Sequence, residues 1–314
     1  MHDRLLKHCQ ENDIISHKQA AYFKGDSTVS QLLYIVHNIR KNWGDNKITH
    51  GLFLDVSSAF DKVWHSGLLA KLCQAGVEDK FYDIMKSYLE NRKQIVVVNG
   101  SKSEILDVKA GVPQGSRLGP LLFLIYMNDI THDIESDMLI FADDTSLFCK
   151  GSDPSETARI LNRDLEKISI WAAKWKVQFN ASKTKDIIFS NKVLNNSPPL
   201  IFGDIFIDRV NLHKHLGVYL SSSLDWSKQV DEVCLKANRK LSVLRTVKSL
   251  SRQTLDILYK LTVRSVIDYA LPVYCSNLRQ TEISRLENLQ YRAAKLVTGT
   301  FQFTSRDKLN LELG

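Results

Sequence analysis

The tetrapeptide Phe141-Ala142-Asp143-Asp144 lies between two short apolar runs, residues 138–141 and 147–149, which are typical of β-strands. The acidic pair is therefore predicted in the turn of a hairpin, where aspartate tolerates unusual backbone angles. Adjacent carboxylates repel each other and raise at least one pKa unless a cation neutralises them. Taken alone, the pair is more typical of a polar hairpin end than of a metal site.

A second acidic strand end changes that balance. Residues 51–56, with the sequence GLFLDV, form an apolar run that predicts a strand with Asp55 at its carboxyl-terminal tip. A divalent-metal site needs such a third carboxylate beside the first two. The sequence therefore predicts a cation site formed by Asp55, Asp143 and Asp144.

Length and composition define the class of protein. The chain has 314 residues, of which 44% are hydrophobic, enough for a sizeable core and two or more subdomains. The longest apolar run, residues 121–127, is far shorter than a membrane span of about 20 residues, and the amino terminus shows no secretory signal. The five cysteines are scattered without C-x-x-C spacing. They predict reduced thiols in an intracellular protein of the cytoplasm, the nucleus or both, with no membrane partner.

Positive charge is concentrated in the last third of the chain. Residues 223–314 contain 15 lysines and arginines against 9 acidic residues, whereas residues 1–222 are nearly balanced. Between residues 236 and 264 the basic side chains are offset by Asp256 alone. An ordinary solvated helix face is the alternative, but beside an acidic metal-type site the pattern favours a polyanion partner. The candidate nucleic-acid contacts are Lys236, Arg239, Lys240, Arg245 and Lys248.

Local signals predict the remaining elements. Asn99-Gly100 between residues 95–98 and 105–108 indicates a hairpin. Helices are predicted over residues 59–75, 78–90 and 118–130, and a further helix from the capping residue Asp153 to about Lys176. Residues 215–220 are predicted as a strand, and from Trp226 onward the pattern is helical, with breaks at residues 249–251 and 271–277.

The order of these segments resembles the successive palm motifs of reverse transcriptases. The five matching segments are residues 53–61 (FLDVSSAFD), 111–116 (GVPQGS), 141–144 (FADD), 180–185 (NASKTK) and 215–218 (HLGV). The resemblance is closest to the enzymes of non-LTR retrotransposons, of the LINE-type, jockey-like kind. Five motifs in the same order are far more specific than any one of them.

The resemblance implies an α+β fold with a right-hand polymerase palm, in which helices pack on an antiparallel sheet. It implies truncated fingers and a helical, thumb-like carboxyl-terminal region. The corresponding domains are a residual fingers segment (1–50), a palm (51–222) with a fingers-type hairpin (93–110), and an incomplete thumb-like region (223–314).

The same resemblance implies an RNA-directed DNA polymerase, a nucleotidyltransferase that adds deoxynucleotides to a primer 3′-OH by a two-metal mechanism. The expected cofactor is Mg²⁺, as two ions, with Mn²⁺ as the alternative. The metal ligands would be Asp55, Asp143, Asp144 and the backbone carbonyl of Val56. The expected partners are an RNA template, a DNA primer or target DNA, and deoxynucleoside triphosphates.

The resemblance also assigns residues around the substrate. Phe60, five residues beyond Asp55, would lie beneath the incoming sugar, and Leu216-Gly217 would grip the primer terminus. Asp61 and Asp129 are expected to be structural. The residues expected to bind the nucleotide are Lys24, Phe60, Gln114, Gly115, and either Lys183 or Lys185 near the pyrophosphate.

Departures from the family pattern leave two alternatives. Residues 19–28 (QAAYFKGDST) resemble a fingers motif in which Phe23 replaces the arginine expected to contact triphosphate. The chain also begins after the earlier fingers motifs. One alternative is therefore a catalytically inactive, nucleic-acid-binding relic of such an element. The other is an RNA-dependent RNA polymerase, which Phe60 disfavours.

Overall fold

The computed structural model describes residues 1–22, 25–192, 197–300, 304–306 and 308–309. They divide into two compact units. The first contains Met1–Gln31 and Asn38–Asn211, and the second contains Leu32–His37 and Leu212–Gly314. The division after Asn211 precedes the predicted boundary at residue 222, and the three-domain division stays a prediction.

The helices and strands alternate through the first unit, and the second is mainly helical. The helices are α1 (His2–Glu11), α2 (Thr28–Gly44), α3 (His65–Gln74), α4 (Asp79–Leu89), α5 (Leu118–Met127), α6 (Pro154–Trp175), α7 (Ser227–Thr246), α8 (Arg252–Tyr259), α9 (Ser265–Asp268), α10 (Leu271–Tyr274) and α11 (Gln280–Thr298). The strands are β1 (Ile48–Leu54), β2 (Lys93–Gln94), β3 (Val97–Val98), β4 (Ser101–Lys102), β5 (Leu106–Asp107), β6 (Asp137–Phe141), β7 (Asp144–Gly151), β8 (Lys185–Phe189), β9 (Ile201–Phe202), β10 (Ile205–Phe206), β11 (Asp208–Arg209), β12 (Leu212–His215) and β13 (Val218–Ser221).

A five-stranded sheet in the order β11-β8-β1-β7-β6 forms the centre of the first unit. β1 pairs antiparallel with both β7 and β8, and β6 pairs antiparallel with β7. Every residue of β1 is buried, as expected for a central strand covered on both faces. The helix α5 is buried at nine of its positions and fills the core beneath the sheet.

A network of side-chain hydrogen bonds, most of it buried, connects the central sheet to α6. The His50 ring on β1 bonds the Asp186 carboxylate on β8 at 2.6 Å, and Arg209 donates to the same carboxylate at 2.7 Å. The second ring nitrogen of His50 lies 3.1 Å from the Thr157 hydroxyl on α6. Because buried polar groups need hydrogen-bond partners, this network favours one alignment of β1, β8 and α6.

The second unit contains the helices α7 to α11 and the hairpin β12–β13. α7 and α11 run parallel to each other. Three polar pairs along or just before the two helices show this, because the second residue of each pair lies 54 positions after the first. The pairs are Asp225 with Arg279, Asp231 with Arg285, and Asn238 with Arg292. The buried faces of both helices contribute to one apolar cluster.

Several predicted elements are confirmed. β3 and β4 form a hairpin with Asn99 and Gly100 at positive φ, the turn that these two residues favour. α6 begins after Asp153, whose side chain accepts a hydrogen bond from the Ser155 N–H, and it ends with Lys176 in the left-handed region. The predicted break at residues 249–251 separates α7 from α8, whereas the break predicted at residues 271–277 was wrong, because residues 271–274 form α10 and residues 275–277 form a 3₁₀ turn.

Three further predicted boundaries were wrong. The helix predicted over residues 59–75 begins only at His65, because the preceding backbone turns to bond the segment near Gly111. Asp144 is the first residue of β7 and not part of the turn, since it pairs with Phe141. Residues 215–220 are not one strand, because Leu216 and Gly217 have positive φ and reverse the chain between β12 and β13.

Within the described residues, no helix combines the length and the apolar character needed to cross a bilayer.

Candidate active site

Three acidic residues lie at one edge of the sheet. Leu54 at the end of β1 is paired with Thr145, so the next residue, Asp55, is level with Asp144 on the neighbouring strand. Asp143 lies in the two-residue turn that joins β6 to β7. The structure therefore brings together the three acidic residues that the sequence predicted for a cation site.

The electrostatics of Asp144 reflect this arrangement. Partial burial, together with the charges of Asp143 and Asp55, raises the pKa of its carboxyl group to about 6. The residue is exposed at the strand tip, so burial of the carboxyl group itself is incomplete. A divalent cation would relieve the repulsion that Asp143 and Asp55 exert on the charged form of Asp144.

The backbone around Asp55 is held by the segment that precedes β8. The Asn180 N–H donates to the Asp55 carbonyl at 2.8 Å, and the Ser57 N–H donates to the Gln178 carbonyl at 2.8 Å. Val56 forms an antiparallel bridge with Phe179 between these two bonds. In such a pair the flanking residues form the hydrogen bonds, so the Val56 carbonyl points away from Phe179.

The two candidate lysines have different surroundings. The Lys183 ammonium lies 3.9 Å from an Asp55 carboxylate oxygen. The Lys185 ammonium instead lies 3.0 Å from the Asp208 carboxylate and donates to the Ser182 carbonyl at 3.1 Å. Both Lys183 and Asp55 are well exposed, so their ion pair contributes little stability. Of the two lysines, Lys183 is the one beside the carboxylate cluster.

The segment 111–116 packs on the turn that follows Asp55. The Gly111 N–H donates to the Val63 carbonyl at 2.8 Å, and the Val112 N–H donates to the Phe60 carbonyl at 2.9 Å. Gly111 has φ +90°, and a Cβ there would lie 2.7 Å from the Asp61 carbonyl oxygen. Only glycine satisfies both the backbone conformation and the close approach.

Gln114 lines an open cleft, and Gly115 follows it in the chain. The Gln114 amide donates to the Asp61 carboxylate at 2.8 Å, and the structural role expected for Asp61 stays a prediction. The cleft has a volume of about 620 Å³, and its walls include Gln114, Arg92 and Lys109. Gly115 has φ +77° and open space around its Cα.

Phe60 lies in a turn and not on a helix. Its ring is half-buried and stacks on Phe123 of α5, with ring centroids 4.6 Å apart. One face of the ring therefore belongs to the core, whereas part of the side chain reaches the surface.

Asp129 lies in a structural cluster. Its carboxylate lies 2.5 Å from the Lys71 ammonium and accepts a hydrogen bond from the Trp171 indole at 2.8 Å. Burial lowers the pKa of Lys71 to about 8. Sequence reasoning did not identify Lys71, because its partners lie more than 50 residues away along the chain.

Leu216 and Gly217, the predicted primer-binding pair, form the turn of the β12–β13 hairpin in the second unit. The Tyr269 hydroxyl donates to the Leu216 carbonyl at 2.7 Å. A Cβ on Gly217 would lie 3.0 Å from the Tyr269 ring. The turn thus has little room for a side chain at position 217.

The five predicted nucleic-acid contacts are exposed on α7 or just after it. At 100° per residue, Lys236, Arg239 and Lys240 share one side of α7, and Arg245 lies on the opposite flank. Lys248 follows the end of the helix. Within the described ranges none of the five forms an ion pair, whereas Arg279 and Arg285 are paired with aspartates.

Lys24 and Phe23 lie outside the described residues. Within the described residues, no group of three or more histidine, cysteine, aspartate or glutamate side chains is arranged to hold a metal ion.

Sequence reasoning also missed Gln19, whose buried side chain contacts the turn between β6 and β7. Its position at the start of the fingers-like segment 19–28 was the available signal, but the contact spans 123 residues.

Comparison with known proteins identifies the family. The model of the family described as reverse transcriptase (RNA-dependent DNA polymerase) matches residues 1–237. The probable RNA-directed DNA polymerase from transposon X-element of Drosophila melanogaster is 30% identical over 320 residues, which cover 99% of this chain and 35% of that protein. The RNA-directed DNA polymerase from mobile element jockey of Drosophila funebris is 31% identical over 268 residues, which cover 79% of this chain and 28% of that protein.

A solved structure supports the fold. Apo telomerase from Candida tropicalis matches with a TM-score of 0.51 at 13% identity, over 98% of this chain and 58% of that chain. The predicted α+β fold of the right-hand polymerase class is thereby confirmed. This chain spans about a third of the length of the curated relatives quoted above. It belongs to the reverse transcriptase family, and it resembles the jockey-like enzymes of non-LTR retrotransposons, as its palm motifs predicted.

Proposed function

We propose that this chain extends a DNA primer with deoxynucleotides on an RNA template, as the polymerase portion of a non-LTR retroelement protein. The observation that carries the proposal is the position of Asp55 level with Asp144 and beside Asp143 at one sheet edge. The printed names of the transposon relatives, RNA-directed DNA polymerases, support the same activity.

Reverse transcriptases generally use divalent metal ions. In this chain the side chains of Asp55, Asp143 and Asp144, with the Val56 carbonyl, would hold two Mg²⁺ ions or the alternative Mn²⁺. The residues fit such ions because they are hard oxygen donors, and because burial and the acidic neighbours of Asp144 raise its pKa. When bound, the ions would stabilise the negative charge on the attacking and leaving oxygens.

The other residues of the site would position the nucleotide. Gln114 borders the open cleft, and the next residue, Gly115, has no Cβ and would allow close approach to a base or sugar. Phe60 would contact the sugar, and Lys183 would lie near the pyrophosphate. Lys24 remains a candidate triphosphate contact from its sequence position alone. In the second unit, Leu216 and Gly217 would contact the primer.

Substitution of Lys183 and Lys185 tests which of the two lysines acts near the pyrophosphate. We expect Lys183→Gln to lower kcat by about 10²-fold, the usual contribution of a positioned proton donor, because it removes the ammonium beside Asp55. Lys185→Gln should change kcat by less than about threefold, because that ammonium is held by Asp208. Single-turnover incorporation of one nucleotide measures both. A larger loss in Lys185→Gln would reverse the assignment.

The exposed cations of α7 should bind duplex backbone. Replacing Lys236, Arg239 and Lys240 together by glutamine should reduce the slope of log affinity against log salt by up to about 2.7 for a DNA-like duplex. Fluorescence anisotropy with an RNA–DNA duplex at several salt concentrations measures the slope. The matched control replaces Lys41, Lys80 and Lys86, which are exposed on α2 and α4. Equal slopes in both triple variants would make the α7 cations an ordinary solvated surface.

Primer extension tests the proposed function as a whole. Purified protein should extend a labelled DNA primer on an RNA template with deoxynucleotides and Mg²⁺. Duplex binding without extension, at any Mg²⁺ or Mn²⁺ concentration, would identify an inactive relic. Preferential use of ribonucleotides would identify an RNA polymerase.

A further inference from the structure

The outer edge of β6, next to the acidic turn, is covered by the segment 18–20. The Ile140 N–H donates to the Lys18 carbonyl at 2.9 Å, and the Ala20 N–H donates to the Ile140 carbonyl at 3.0 Å. Gln19 lies between them, in a single parallel bridge with Ile140. An edge strand that would otherwise offer unpaired backbone groups is thus partnered two residues before the turn.

The side chain of Gln19 continues this contact into the turn itself. Its carboxamide oxygen accepts a hydrogen bond from the Ala142 N–H at 3.0 Å and another from the Ala21 N–H at 2.9 Å. Because both partners are donors, the acceptor must be the oxygen and not the amide nitrogen. The Gln19 side chain is only 6% exposed, so water does not easily replace it.

Ala142, the residue that Gln19 holds, has an unfavourable backbone conformation. Ala142 has φ +57°, in the left-handed region that residues with a Cβ rarely adopt. It is the first residue of the two-residue turn, a position at which tight hairpins favour positive φ, and Asp143 is the second. An unfavourable conformation persists only where its surroundings impose it. The hydrogen bond from Ala142 to Gln19 is such a constraint.

We infer that Gln19 is a positioning residue for the acidic site. It fixes the left-handed conformation of Ala142 and, through it, the direction in which the Asp143 carboxylate leaves the turn. The segment 18–20 therefore contributes to the geometry of the sheet edge without contacting substrate. The inference rests on the proposed function only in assigning the Asp143 carboxylate to a metal ion.

Gln19→Met tests the inference, because methionine has a similar length and volume but no strong acceptor. The first readout is hydrogen exchange of the Ala142 amide, which needs neither substrate nor metal. We expect exchange to accelerate at least about tenfold in Gln19→Met, since the N–H loses its acceptor. Gln19→Glu keeps an acceptor oxygen and should keep the Ala142 amide protected.

The second readout is the response to divalent cations. Gln19→Met should need at least about threefold more Mg²⁺ for half-maximal thermal stabilisation, and should lower kcat for incorporation about tenfold. The KM for nucleotide should stay within about twofold, because Gln19 does not contact it. A change in Mg²⁺ dependence and kcat without a change in KM indicates a positioning role, whereas a general loss of stability would not separate these quantities.

Asp164→Asn is the matched control. Asp164 is fully buried and also accepts two backbone hydrogen bonds, from Glu135 and Ser136, at the other end of β6. Its replacement should lower the melting temperature but leave Mg²⁺ dependence and Ala142 exchange at their parent values.

Unchanged Ala142 exchange in Gln19→Met, or Mg²⁺ dependence that moves equally in Asp164→Asn, would overturn the inference. If the parent protein neither stabilises with Mg²⁺ nor extends a primer, the proposed function fails instead. Amide exchange would still decide whether Gln19 holds the turn.

Discussion

Asp143→Asn should abolish nucleotide incorporation, with a loss of about 10³-fold or more. Asparagine keeps the size of the side chain but removes the negative charge that would hold a cation at the tip of the β6–β7 turn, and charge stabilisation of this kind is usually the largest single contribution to such a reaction. The measurement is single-nucleotide incorporation on an RNA template at saturating Mg²⁺. The control is Asp83→Asn, an exposed aspartate on α4, which should retain parent activity. Undiminished incorporation in Asp143→Asn would exclude the carboxylate cluster as the catalytic site.

The same variant should remain folded and should even gain stability without a cation. The pKa of Asp144 in the folded protein is about 6, above its ordinary value of 3.8, because of partial burial and the charges of Asp143 and Asp55. The folded state therefore binds more protons than the unfolded state, and this group lowers stability as pH rises from about 4 to 6. Removing the Asp143 charge should reduce that loss.

Urea unfolding in EDTA at pH 4.5 and 7.5 measures the change. We expect Asp143→Asn to be more stable than the parent by up to about 1 kcal/mol at pH 7.5, a value discounted for the exposure of Asp144. The difference should shrink at pH 4.5, where Asp144 is mainly protonated. Mg²⁺ should then stabilise the parent more than the variant. The same stability difference at both pH values would mean that the repulsion is negligible.

Phe60→Val should admit ribonucleotides. If the aromatic ring lies against C2′ of the incoming sugar, it leaves no volume for a hydroxyl group, and forcing one into a packed site costs about 1–3 kcal/mol. Removing the ring should raise the ratio of ribonucleotide to deoxynucleotide incorporation at least about tenfold. Competition between the two nucleotide types on one primer–template measures the ratio.

Phe123 provides the matched control for Phe60. The two rings stack, and Phe123 is the buried member of the pair. Phe123→Val should therefore lower stability by loosening the core while leaving the sugar ratio unchanged. If Phe60→Val also lowers stability without moving the ratio, Phe60 is a packing residue and sugar choice lies elsewhere.

The sequence predicted those parts of the fold that local chemistry determines. Asn99-Gly100 specified its turn through two positive φ angles, and Asp153 specified the start of α6 through a side-chain cap. The acidic residues were found because Asp55 ends an apolar strand and Asp143-Asp144 lie between two others. In each case the informative residues are close together in the chain.

The missed features depend on contacts between distant segments. α3 starts late because Phe60 and Val63 use their carbonyls to bind residues 111 and 112, a demand that the helical pattern does not reveal. β7 starts at Asp144 because pairing with β6 continues to the edge of the turn. The hydrogen bond from Ala142 to Gln19 joins residues 123 positions apart. Tertiary pairing of this kind leaves no local trace in composition or periodicity.

The alignment of β1 with β7 makes the site far more sensitive to the number of residues in β1 than to the identity of their side chains. Side chains alternate between the two faces of a sheet, so inserting or deleting one residue within Ile48–Leu54 would turn Asp55 away from Asp144. Exchange of one apolar side chain for another in the same strand keeps that alignment. Lengthening the exposed turn at Asn99-Gly100 does not change the alignment of β1 with β7. Fusion or insertion of foreign segments therefore has a natural location at that turn, and none within the central strand.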